Sequence, residues 1–253
     1  MSDKTRKFIL PAIVGVVCFA AMQLYTMITG ISPLLFPSPW SVIEFICSHF
    51  GMFMDNACVT VAEILLGFAA GTVIGVAIGV CINASRNFRD ATYPWLVASQ
   101  MVPVAAIAPI LILWFGFTML PKVIVVTLIA FFPIAVNTAD GLRSVDGEMV
   151  RLLKSMGATR MKILCCVSIP SALPHLFSGL RVAMALSVVG AVFGEWVGSS
   201  RGLGFLMLNY NNKLNTPGLF AAVLFLSAIG IVLFFVVGVV ERVVVPWKTN
   251  TNL

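Results

Sequence analysis

Polar and apolar positions in this chain separate into long uncharged runs and short charged connections. Runs near 8–28, 59–82, 91–115, 122–136, 174–197 and 219–240 approach the roughly 20 residues an α-helix needs to cross a bilayer core. Lipid offers no hydrogen-bond partner to an open backbone, so each run is predicted as a spanning helix. The fourth is short and the fifth carries charge. Segment 38–56 is mixed and amphipathic, and its Ser38-Pro39-Trp40 opening predicts a short interfacial helix. The expected fold is an all-α membrane protein of about six transmembrane helices forming one domain over 1–253, with a cytoplasmic loop at 137–171 between the fourth and fifth spans.

Composition agrees with lipid as the main solvent. The chain is 60% apolar and 10% charged with mean hydropathy +1.03, beyond the roughly 45–50% apolar of soluble domains. Its net charge of +6 sits between the apolar runs, which points to membrane topology rather than nucleic acid. With the N-terminus inside, the cytoplasmic side collects Lys4, Arg6, Lys7, Arg86, Arg89, Arg143, Arg151, Lys154, Arg160, Lys162, Arg242 and Lys248, and the outside only Arg201 and Lys213. Lys122 and Arg181 stay unassigned. A five-span chain would expose Arg242 and Lys248 outside, against this bias, so both termini are expected in the cytoplasm of a multi-pass protein. The first run is too long and lacks the small-residue cleavage pattern of a signal peptide.

Several residues stand out along these runs. Gly67, Gly71, Gly75 and Gly79 recur every fourth residue, which bares one helix face for close approach of another helix. That face is either a static contact or a seam permitting rocking. Pro94, Pro103, Pro109, Pro121 and Pro133 crowd the third and fourth runs and predict kinked or broken helices. Glu63, Arg181 and Glu195 are ionisable groups in or at the ends of spans, which makes them candidates for a translocation path. The bland alternatives are a snorkelling Arg181 and glutamates at headgroup depth. An acidic entrance would disfavour anions. Cys18, Cys47, Cys58, Cys81, Cys165 and Cys166 show no Cys-x-x-Cys spacing and are expected as packed thiols, and isolated His49 and His175 suggest local hydrogen bonding rather than a metal site.

The loop is the most informative segment. Met149, Leu152, Leu153 and Met156 fall at i, i+3, i+4 and i+7, predicting an amphipathic helix from an Asp146 cap to a left-handed terminator at Gly157. A helix this short does not persist alone in water, so its apolar stripe rests on its own membrane domain, on a partner or on lipid headgroups.

Gly157, Val167, Ile169 and Pro170 stand at the spacings of the loop motif of ATP-binding-cassette importer permeases: Glu-Ala-Ala, three residues, Gly, nine residues, Ile, one residue, Leu-Pro. Here the triplet reads Arg151-Leu152-Leu153, without its acid. Further matching phrases include Phe131-Phe132-Pro133, Gly179-Leu180-Arg181, Gly194-Glu195-Trp196-Val197-Gly198 and Gly202-Leu203-Gly204. The chain thus resembles permeases of the nitrate, sulfonate, taurine, thiamine-precursor and riboflavin branch, and Leu153-Lys154-Ser155-Met156-Gly157-Ala158 looks closest to the vitamin-precursor members.

The resemblance implies a non-enzymatic permease in a bacterial inner membrane, importing a pyrimidine precursor or riboflavin-like heterocycle; a sulfonate, taurine or nitrate permease is the alternative. It also implies a second permease copy, two cytoplasmic ATPases carrying ATP and Mg, and an external solute-binding protein. Glu148, Met149, Arg151, Leu152, Leu153, Met156, Gly157 and Ala158 would then couple to the ATPase. No Gly-x-x-x-x-Gly-Lys-[Ser/Thr] loop is present, so no nucleotide cofactor is expected on this chain. On composition alone a secondary transporter would also fit.

Overall fold

The computed structural model describes residues 3–30, 32 and 36–247; Lys248, counted above among the cytoplasmic cations, lies outside them. The described elements are helical. In chain order they are α1 (Asp3–Thr29), α2 (Pro39–Ser48), α3 (Phe50–Ala84), α4 (Arg86–Ser99), α5 (Val104–Phe115) and α6 (Leu120–Arg143), then α7 (Gly147–Ser155), α8 (Arg160–Ile163), a π-helical turn at Leu164–Ser168, α9 (Ile169–Gly198), α10 (Leu203–Asn212) and α11 (Thr216–Val244).

Four stretches are long and apolar enough to cross a membrane: α3, α6, Met161–Gly198 and α11. The run expected as a third span is broken into α4 and α5, bent by 93°. Pro103 explains the break, because it has no N–H for the carbonyl of Ser99 and its ring crowds that turn. Pro94 and Pro109 stay inside their helices. Helix α1 is 27 residues long, Asp3–Thr29, and carries the uncharged run from Phe8 that is the first expected span. Among the described residues these make four spans, or five with the broken pair, and α1 is the remaining candidate for the six expected.

Glycine contacts fix the packing directions. A Cβ added at Gly71 would stand 2.8 Å from the Ala130 Cβ, at Gly75 2.7 Å from the Phe131 carbonyl oxygen, and at Gly79 2.8 Å from the Ala135 carbonyl oxygen. Gly67 meets Val126 in the same way. Both sequences rise together along this contact, so α3 and α6 are parallel neighbours. The broken α4–α5 pair consequently carries the chain back from one end of the bundle to the other. Helix α9 runs antiparallel to α6, since Gly179 meets Asn137 and Gly194 meets Lys122. In turn α11 runs antiparallel to α9, with Gly230 against Val188 and Gly238 against Arg181.

Local chemistry accounts for the helix ends. The Ser38 hydroxyl accepts from Ser41 N at 3.2 Å, with Pro39 in the first turn of α2, and the Asn215 amide oxygen accepts from Gly218 N at 3.0 Å to start α11. The π-helical turn precedes Pro170, which has no N–H to offer Cys166; Ile169 N instead reaches back to Leu164 O. The cysteines depart from expectation. Cys47, Cys58, Cys81, Cys165 and Cys166 are unbonded and exposed, because they lie on outward helix faces rather than in the core.

Candidate functional site

The bundle has two distinct ends. At one end α6 finishes at Arg143, α7 follows, and the chain re-enters the bundle through α8 into α9. Asp146 caps α7, its carboxylate accepting from Glu148 N at 2.9 Å. Glu148 in the first turn and Lys154 in the last both suit the helix dipole. Gly157 takes φ +78°, and Ala158 N donates to Leu153 O at 2.9 Å, closing the helix in the left-handed turn that its glycine permits.

No α7 residue is buried. Along the apolar stripe Met149 is 50% exposed, Leu152 61% and Met156 74%, while Leu153 is half-buried. Arg151 and Glu148 are exposed and Ala158 is half-buried. The chain by itself therefore presents a capped amphipathic helix whose apolar side is largely uncovered.

At the other end lies a buried polar network. Glu63 on α3 and Glu195 on α9 are 0% and 1% exposed, enclosed by their own protomer. Lys122 Nζ, at the start of α6, donates to Glu63 Oε1 at 2.8 Å and to Ser199 Oγ at 2.8 Å. The Glu195 carboxylate accepts from the Thr60 hydroxyl at 2.6 Å and from the backbone of Gly204 at 2.5 Å and Phe205 at 3.2 Å. It thus caps the free N–H groups at the start of α10. The Thr60 hydroxyl also accepts from Leu203 N at 2.9 Å, and the Asn56 amide oxygen accepts from Gly202 N at 2.8 Å. Glu63 Oε2 has no hydrogen-bond partner among the described residues.

The Gly202-Leu203-Gly204 phrase has a physical cause here. Gly202 takes φ +115°, a region costly to any residue with a Cβ, and an added Cβ there would strike the Glu195 carboxylate. At Gly204 an added Cβ would stand 2.9 Å from Glu195 Oε2. The two glycines make room for a carboxylate that ties α9 to α3 and α10.

Arg181 lies in the half of α9 nearer α7, ion-paired to Glu241 of α11, with its guanidinium 5.8 Å from the Phe234 ring centroid. Gly238 leaves the space, since an added Cβ would stand 3.2 Å from Arg181 Nη2. Among the described residues, sequence reasoning did not single out Glu241, Thr60 or Asn56 and left Lys122 unassigned. Opposite charges on separate apolar helices are the available signal, because an ionisable group inside a membrane domain needs a partner.

The family described as binding-protein-dependent transport system inner membrane component matches residues 71–248. The formylaminopyrimidine transport permease protein of Halalkalibacterium halodurans is 38% identical over 85% of this chain and 87% of its own length. The riboflavin transport system permease protein of Chloroflexus aurantiacus is 36% identical over 79% and 75%, and the taurine transport system permease protein of Escherichia coli 29% identical over 86% and 82%. A solved structure of an inward-facing methionine ABC transporter shares the fold, with TM-score 0.67 and 20% identity over 78% of this chain and 98% of that one. With these matches the secondary-transporter alternative falls. The chain belongs to the binding-protein-dependent transport system inner membrane components, the membrane-spanning permeases of ATP-binding-cassette importers.

Proposed function

We propose that this permease imports a small heterocycle of the pyrimidine-precursor or riboflavin type, driven by ATPase subunits that seat α7 in a groove. The observation that carries the coupling role is α7 itself: a helix capped at both ends, with an apolar stripe that its own chain leaves largely uncovered. A helix of nine residues gains little stability alone and needs an apolar seat. The complex would hold two copies of this chain, two ATPases with ATP and Mg, and an external binding protein. It would sit in a bacterial inner membrane with α7 and both termini in the cytoplasm. Within the interface, Glu148 would supply the acidic contact that the altered Arg151-Leu152-Leu153 triplet lacks, being one helical turn earlier.

Support for the solute class comes from the formylaminopyrimidine and riboflavin relatives, which are more alike to this chain than the taurine one. Co-expression with an ATPase and a binding protein from the same organism should give a stable complex with ATP-dependent uptake of formylaminopyrimidine. Uptake of taurine instead would shift the solute to the sulfonate class. Failure of any ATPase to co-purify would overturn the coupling reading.

A further inference from the structure

Beside the buried network, at the end of the bundle away from α7, lies a cavity of about 530 Å³ lined by Met52, Asp55, Asn56, Cys58, Ser200, Arg201, Phe205 and Leu206. Asp55 and Arg201 are both exposed, and neither forms an ion pair among the described residues. One pocket thus offers an unneutralised anion and an unneutralised cation. Asn56 and Ser200 add neutral polar groups, and Phe205 and Met52 an apolar surface on which a ring can lie.

The pocket wall is held rather than loose. Ser199 Oγ donates to the Arg201 carbonyl and accepts from Arg201 N at 3.2 Å, while Lys122 Nζ fixes the same hydroxyl from below. Asn56 is tied to Gly202 N, and Phe205 N to Glu195. Burying two carboxylates and an ammonium is a poor way to gain stability, since desolvation offsets most of their attraction. What the network does achieve is a fixed geometry for 199–205, the stretch that forms one side of the pocket. A supporting shell of this kind is what a recognition site requires.

We propose that this pocket is a recognition station for the imported solute, taking small molecules that carry a cationic or N–H-donating edge and an anionic or accepting edge. Asp55 would meet the first edge and Arg201 the second. The cavity volume lies within the roughly 300–1,000 Å³ usual for small-molecule sites. The inference rests on the permease reading above, which places this end of the bundle outside the cell.

The test uses the permease–ATPase complex in nanodiscs made only of phosphatidylglycerol, without the binding protein, titrated calorimetrically with taurine and separately with formylaminopyrimidine. At least one should bind, and Asp55→Asn and Arg201→Gln should each weaken it about tenfold or more, as loss of a charged hydrogen-bond partner does. Lys213→Gln, an exposed cation outside the pocket lining, should leave binding unchanged. Binding of neither compound, or equal affinity in the pocket variants, overturns the proposal. So does loss of binding when phosphatidylethanolamine is added to the discs, which would assign the pocket to a lipid headgroup. ATPase retention, measured in the same preparations, tests the permease reading separately.

Discussion

Among the described residues Lys122 is the cation that compensates Glu63 inside the bundle, and its distance of 2.8 Å leaves no room for water between them. Removing one partner of such a pair strands the other charge, which costs about 3–5 kcal/mol, whereas replacing both by apolar groups is often neutral. Lys122→Met should therefore lower the denaturation midpoint of the purified permease sharply, and Glu63→Leu in the same chain should recover most of the loss. A double variant no more stable than Lys122→Met would show that the ammonium matters chiefly for Ser199 and the turn beyond it. This pair was half legible in the sequence. Glu63 was visible as a charge in an apolar run, but Lys122 sat at the edge of a short one, and nothing in the chain order says that residues 59 apart meet. The pairing of Arg181, itself visible in its run, with Glu241 escaped for the same reason: their contact follows from how α9 and α11 cross, not from either helix alone.

At the scale of elements, the glycine face of α3 lies directly against backbone. Gly75→Leu would push a side chain into the Phe131 carbonyl and the Ile134 side chain, so it should prevent α3 and α6 from closing and abolish assembly or transport. Gly51, in the first turn of the same helix, has nothing within 4 Å of an added Cβ. Gly51→Leu should consequently express and transport like the parent. Equal behaviour of the two variants in a size-exclusion and uptake assay would remove the close contact from the account. Helix α7 calls for the opposite pattern. Because its stripe is largely uncovered, Leu153→Asp should leave the thermal stability of the isolated permease nearly unchanged yet lose the ATPase on co-purification, since an aspartate buried at a packed interface lacks a partner. A large loss of stability without loss of the ATPase would place Leu153 in the permease's own core. Period, cap and terminator made α7 readable to within a residue or two, because all three signals are local. The break between α4 and α5 was not readable in the same way: hydropathy stays high across it, and only Pro103 among several prolines interrupts the helix.

At the scale of the whole molecule, the parallel contact of α3 with α6 has a topological consequence that outlasts any count of spans. The chain leaves α3 at the α7 end and enters α6 at the opposite end, so α4 and α5 together must traverse the bundle despite their 93° bend. In the proposed orientation the α7 end is cytoplasmic, a reading supported by Arg86, Arg89, Arg143, Arg151 and Lys154, which all gather there. Single cysteines in a background lacking the six native ones separate the possibilities. Asn87→Cys, at an exposed position at the α7 end, should react with a membrane-impermeant maleimide only after the cells are permeabilised. Phe117→Cys, between α5 and α6, and Lys213→Cys, after α10, should react in intact cells. Labelling of positions 87 and 117 from the same side would mean that α4 and α5 dip into the membrane and return. In that case α3 and α6 could not run parallel, and the close approach of Gly71 to Ala130 and of Gly79 to Ala135 would have to be abandoned with it.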